Sequence, residues 1–138
     1  MEPKKLYNTT VINEDGVNGH VYVADPNGLD VEISDPRNDL PGANPEQFVG
    51  LALSTCLNAT VEAIEKKNHV PHTSQVRVHV TMVKGSQGLE FLVHAKVLIP
   101  GVDFATAQAF TALAEKRCPV SKLLSGSPNV KIETVEQF

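Results

Sequence analysis

The chain has 138 residues, 41% of them hydrophobic, which is enough for a single ordinary domain over residues 1–138 with a real core. With no tryptophan and only 5% aromatics that core must be aliphatic, and a net charge of -4 without clustered Lys and Arg excludes a nucleic-acid footprint. No stretch is expected to span a membrane, and Met1-Glu2-Pro3-Lys4-Lys5 lacks an apolar signal core, so a cytoplasmic protein with reduced thiols is expected.

Residues 5–13 and 17–24 are short β-rich runs separated by the turn signal Glu14-Asp15-Gly16. Gly28-Leu29-Asp30-Val31-Glu32-Ile33 alternates apolar and acidic residues as a half-buried strand does, and residues 35–42 form a loop. Asn44, Pro45 and Gln47 then predict a helix start, with Asn44 as cap, Pro45 in the first helical position and Gln47 completing a capping box. From Phe48 to Leu57 the helix is apolar nearly all round, which predicts burial on most sides. Beyond Leu57 it becomes amphipathic, with Val61 and Ile64 inward and Glu62 and Lys66 outward, and His69-Val70-Pro71 ends it.

Val76, Val78, Val80 and Met82 alternate with Arg77, His79 and Thr81, and Phe91, Val93, Ala95, Val97 and Ile99 alternate with Leu92, His94, Lys96 and Leu98 on the far side of Lys84-Gly85-Ser86-Gln87-Gly88. This predicts a long hairpin. A second helix is expected over 104–117 with Asp103 as cap, then a short one over Pro119–Leu124 and a final strand over 129–136. The order β-β-β-α-β-β-α-β gives an α+β fold. One nearly all-apolar helix is too much to hide in a layer of this size, so an intertwined homodimer around that buried central helix is the expected solution.

Two cysteines, and no others, carry the candidate chemistry. Cys56 lies in the apolar helical run, ten residues after the Glu of Asn44-Pro45-Glu46-Gln47, and Cys118 lies between a helix end and Pro119 in Cys118-Pro119-Val120-Ser121. A pair of thiols in a cytosolic protein suggests redox chemistry rather than a structural staple. These motifs, with Lys4-Lys5-Leu6-Tyr7, Asn18-Gly19-His20 and Gly28-Leu29-Asp30, resemble the OsmC/Ohr family in its organic hydroperoxide resistance branch, and the resemblance runs in order along essentially the whole chain.

The resemblance implies an OsmC-like intertwined homodimer and a thiol peroxidase that reduces organic hydroperoxides to alcohols in oxidative stress defence. It makes Cys56 the peroxidatic nucleophile, Cys118 the resolving thiol that closes a Cys56–Cys118 disulfide, and Glu46 the carboxylate that orients an activating arginine. Re-reduction by a dithiol donor, of lipoyl type in the family, is implied as well. Apolar side chains such as Phe48, Leu51 and Leu53 are candidates to line the substrate pocket. Pro119 disfavours helical geometry at Cys118, which lets that residue cap the following short helix, whose dipole would favour a thiolate.

Only a thiolate attacks a peroxide efficiently, and the helix dipole gives little help at mid-helix, so a positive charge must reach Cys56. In the branch that charge is an arginine two residues before the Asn/Asp-Gly pair near the N-terminal hairpin. Here Gly16-Val17-Asn18-Gly19 places Val17 at or beside that position, a departure from the pattern. Among the three arginines, Arg37 in the loop leading to Glu46 is the preferred substitute; Arg77 and Arg117 read as a surface charge and a solvated helix end. Glu46 and Cys56 are ten helical residues apart, roughly 15 Å, so a role for Glu46 requires an intermediary or a second subunit. The histidines read as surface residues, and no metal, flavin or haem is indicated. The Val17 departure supports a rival from another class, a non-catalytic dimer that binds an apolar ligand or partner.

Overall fold

The computed structural model describes residues 2–138 and divides the chain into two compact units, Met1–Pro45 and Glu46–Phe138. The first unit is an antiparallel sheet of β1 (Val11–Asn13), β2 (Gly19–Val23) and β3 (Asp30–Ile33), in that order, with Val11 facing Val23 and Val21 facing Val31. Asn13 closes the first turn by accepting from the Gly16 amide and donating to the Gly16 carbonyl, and Gly16 supplies the positive φ of 78° that the turn requires. Among the described residues of this unit, only Ile33 and Ser34 are buried. The expected first strand is shorter than the β-rich run from residue 5. Residues 5–10 have no regular structure, and Leu6 and Tyr7 stand 88% and 83% exposed.

The second unit is built on α1 (Pro45–Lys67) and on β4 (Gln75–Gly85), β5 (Gly88–Leu98) and β6 (Val130–Val135), with α2 (Phe104–Arg117) and α3 (Pro119–Leu124) connecting β5 to β6. β4 and β5 form the expected hairpin in full register, from Gln75 against Leu98 to Gly85 against Gly88. Gly88 turns the chain with φ 99°, a conformation that a side chain would resist. β6 returns parallel to β5, Val93 against Val130, as a helical crossover permits. The alternation read from sequence sets the faces: Val93, Ala95, Val97 and Ile99 are buried, and Arg77 and His79 point to solvent.

Leu53, Leu57, Val61 and Ile64 recur at helical spacing on α1 and pack in one core cluster with those strand residues, Ala107, Ala114 and Cys118. α2 starts where Asp103 Oδ1 accepts the Thr106 amide at 2.7 Å, the cap expected from sequence, and that bond holds the Asp103 carboxyl below its ordinary value. The α+β class, the element order and the short third helix are those expected.

One expectation is corrected. α1, at 23 residues, is long and apolar enough by length and composition alone to cross a membrane. Ala52, Ala59 and Ala63 keep its polar flank small, which the division into an apolar half and an amphipathic half passed over. A core helix of a soluble protein has the same composition, and α1 carries the core stripe just described.

Candidate active site

Cys56 sits on α1, three residues after Leu53 and one before Leu57, hence on the flank of the buried stripe; it is half-buried and packs against the core. Its carbonyl accepts the Thr60 hydroxyl at 2.8 Å, which ties the thiol's own turn of helix to the next. Cys118 is fully buried. It ends α2 through its amide, bonded to the Ala114 carbonyl at 2.8 Å, and starts α3 as N-cap, with its Sγ accepting the Ser121 amide at 3.4 Å. Its backbone is extended, φ -62° and ψ 117°, as a residue before proline should be.

The fold brings the two thiols near each other, close enough for Cys56 to perturb Cys118. Burial pushes the Cys118 thiol up from its ordinary value, the Ser121 amide opposes that, and the Cys56 sulfur adds to the rise. The first amides of α3 do favour a Cys118 thiolate, as expected, but desolvation outweighs them in a helix only six residues long. Cys118 rests as a buried thiol beside a more accessible one.

Glu46 lies in the first turn of α1 and lines a groove of about 510 Å³ with Gln47, Gly50, Leu51, Ser54, Val76, Val78 and Val80. Of the three apolar candidates, Leu51 lines this groove and is 60% exposed, Phe48 is half-buried outside its lining, and Leu53 is fully buried in the core. Cys56 is not part of the groove wall. In the first unit, Val17 stands 49% exposed in the turn between β1 and β2. Arg37 makes a two-pronged contact with Asp35, Nε to Oδ1 at 3.0 Å and a terminal nitrogen to Oδ2 at 2.8 Å, which holds the Asp35 carboxyl down to about 2.

The family model for OsmC-like protein matches residues 36–133, the stretch that contains Glu46, Cys56 and Cys118. This chain belongs to the OsmC-like protein family. Among proteins of that family, it is 26% identical over 133 residues to the organic hydroperoxide resistance protein OhrB of Bacillus subtilis, covering 93% of this chain and 97% of the relative. It is 30% identical over 132 residues to an organic hydroperoxide resistance protein-like chain of Staphylococcus aureus, covering 91% and 93%. A crystal structure of a candidate redox protein from Lactobacillus casei matches with a TM-score of 0.91 at 55% identity, covering 98% of this chain and 94% of that one. The crystal structure of OhrB from Bacillus subtilis matches with a TM-score of 0.84 at 26% identity, covering 95% and 100%. The resemblance read from the sequence motifs is borne out.

Sequence reasoning missed a second polar centre in this OsmC-like fold. Glu65 is fully buried on α1, and its Oε1 lies 2.7 Å from His72 Nδ1 and accepts the Ser74 hydroxyl at 2.9 Å. Asn58 joins Ser74 to the same helix, its Oδ1 2.8 Å from the Ser74 hydroxyl oxygen and its Nδ2 donating to the Ser74 carbonyl at 3.2 Å. Glu65 Oε2 is buried without a hydrogen-bond partner. His72 is thus more than the surface residue expected, although its side chain is 37% exposed. The signal was present: position 65 follows Val61 by four and Leu57 by eight, an inward phase on which a carboxylate demands a partner.

Proposed function

We propose that this protein is a thiol-dependent peroxidase that reduces organic hydroperoxides to alcohols as part of peroxide defence. The observation that carries this reading is the pairing of two thiols with unequal access, Cys56 half-buried and Cys118 fully buried near it. The Cys56 thiolate attacks the distal oxygen of ROOH; the O–O bond breaks, RO⁻ takes a proton to leave as ROH, and the sulfur becomes a sulfenic acid. The Cys118 thiol then attacks that sulfur, water leaves, and a Cys56–Cys118 disulfide forms. An external dithiol, possessing two thiols so that it departs as its own disulfide, returns both cysteines to the reduced state. The lipoyl type is the donor class that the family resemblance supports, and a cytoplasmic setting suits a cycle that ends in reduced thiols.

The groove beside Leu51, walled by Val76, Val78 and Val80, supports a preference for peroxides with an apolar organic part. Glu46 at one end of that groove and Arg37 in the preceding loop are assigned the electrostatic activation of Cys56, on the family pattern and on the need of a thiolate for a cation.

A homodimer is part of this reading. Leu6, Tyr7, Val11, Leu29 and Leu51, each more than half exposed, supply apolar surface that a second copy would cover.

Replacing each cysteine by serine tests the assignment. Cys56→Ser should abolish hydroperoxide consumption, and Cys118→Ser should give one rapid turnover followed by over-oxidation of Cys56. Equal, mild losses in both variants would refute the division of roles.

A further inference from the structure

The Glu65 centre lies where α1 meets the segment that follows it, and that segment is held in an unfavourable backbone shape. α1 ends in a left-handed turn: the Val70 amide bonds back to the Glu65 carbonyl at 2.9 Å and the His69 amide to the Lys66 carbonyl at 3.3 Å. The residue in the left-handed position is His69, φ 59°, where glycine is the usual occupant. Pro71 follows, and His72 then folds back onto the helix to meet Glu65. A strained turn and a buried carboxylate with one oxygen unpartnered are thus bridged by the His72 imidazole, beside the bonds that Ser74 makes to Glu65 and Asn58.

We propose that His72 and Glu65 form a pH-sensitive latch that fastens the segment Asn68–Ser74 to the end of α1, closed while His72 carries its second proton and loosened when that proton leaves to solvent. The carboxylates near His72 favour the closed form, and Lys66 is the one like charge beside it among the described residues. On α1 these are Glu65 at 2.7 Å from Nδ1 and Glu62, with Oε2 3.7 Å from Nε2; Lys66 lines the same hollow as His72 with Ala59, Glu62, Ala63 and Val70. From the β4 side the neighbours are the Ser74 hydroxyl at 3.2 Å from Nδ1, and Gln75 and Val76, none of which titrates near neutrality. The hydrogen bond to Glu65 raises the His72 imidazolium above its ordinary 6.5, with burial opposing and the Glu65 and Glu62 charges adding to the rise. When His72 is neutral the contact persists only without its charge assistance, while the Glu65 carboxylate stays buried.

The sign follows from linkage. A histidine raised in the folded state stabilises the closed latch fully below 6.5, and that stabilisation is lost as pH rises through the folded value. The Val70 amide reports opening because it donates to the Glu65 carbonyl across the turn. Each unit by which His72 is raised corresponds to about a tenfold fall in the Val70 protection factor across the titration.

The experiment combines NMR titration of His72 with amide exchange of Val70 in the full-length protein at pH 5.5 and pH 9, each rate normalised for hydroxide catalysis. The expected result is a His72 midpoint above 6.5 and a matching loss of Val70 protection at the higher pH. His72→Gln, which can keep a donor toward Glu65 but does not titrate, should give equal protection at both pH values. Glu65→Gln, if it folds, should return the His72 midpoint to about 6.5 or below. A wild-type midpoint at or below 6.5, unchanged Val70 protection in the wild type, or an undiminished fall in His72→Gln would each overturn the latch.

Discussion

Gly50 is a glycine in the second turn of a 23-residue helix, and the structure says what alanine would do there. A Cβ built at Gly50 would meet Val80 Cγ2 at 3.9 Å and the Val78 carbonyl oxygen at 4.0 Å, ordinary van der Waals distances. With no clash to offset it, Gly50→Ala gains the helix-propensity difference, about 0.8–1 kcal/mol. At a urea slope of about 2 kcal/mol/M that moves the unfolding midpoint up by about 0.5 M at fixed protein concentration. The added methyl also projects toward Val78 and Val80 and so narrows the groove of about 510 Å³. If that groove seats the organic part of the substrate, KM for a long-chain hydroperoxide should rise more than KM for a compact one. Chemical denaturation and steady-state kinetics on the same variant separate the two effects. An unchanged or lowered midpoint would refute the reasoning, because it would mean that the space at Gly50 is not open in the folded protein. A higher midpoint with equal KM changes for both substrates would remove the groove from the substrate path.

Sedimentation at low micromolar concentration should show a species of twice the 14.9 kDa chain mass, and a stable soluble monomer would count against the dimer. Asp103→Asn should remove an acid-dependent part of stability. The carboxyl is lowered from 3.8 by the Thr106 amide, so its contribution is present above 3.8 and fades as pH falls through the folded value; a wild-type and variant difference that does not change between pH 6 and pH 2.5 would contradict this. Arg37→Met should slow alkylation of Cys56 at neutral pH with the fold intact, and an unaltered alkylation rate would make Arg37 a surface charge held by Asp35.

The parts of the fold that were legible in the sequence are those governed by local chemistry. The Val76/Val78/Val80 and Val93/Ala95/Val97 alternation has only one face that can be buried, so the hairpin and its register follow. Pro119 disfavours helical geometry at Cys118, which made the break between α2 and α3 and the capping role of the thiol legible. Non-local effects were not legible. The balance between burial and the Ser121 amide at Cys118 depends on how completely the core closes over the sulfur. The parallel return of β6 depends on the crossover through α2 and α3. Residues 5–10 have strand-forming side chains, but a strand needs a partner, and the pairing toward β2 stops at Thr10, whose carbonyl accepts the Ala24 amide at 2.8 Å. Glu65 was passed over because its helix was read for apolar periodicity, when the informative residue was the charged one in the apolar phase.

The central claim, that Cys56 and Cys118 act in series on an organic hydroperoxide, is tested most directly by counting thiols. Fully reduced protein should titrate as two free thiols per chain, Cys56 and Cys118. After one equivalent of an alkyl hydroperoxide per chain, both should be gone, one equivalent of alcohol should appear, and peptide mapping should find Cys56 joined to Cys118. Two thiols that survive the treatment would contradict the account and favour a dimer that binds an apolar ligand without turning it over.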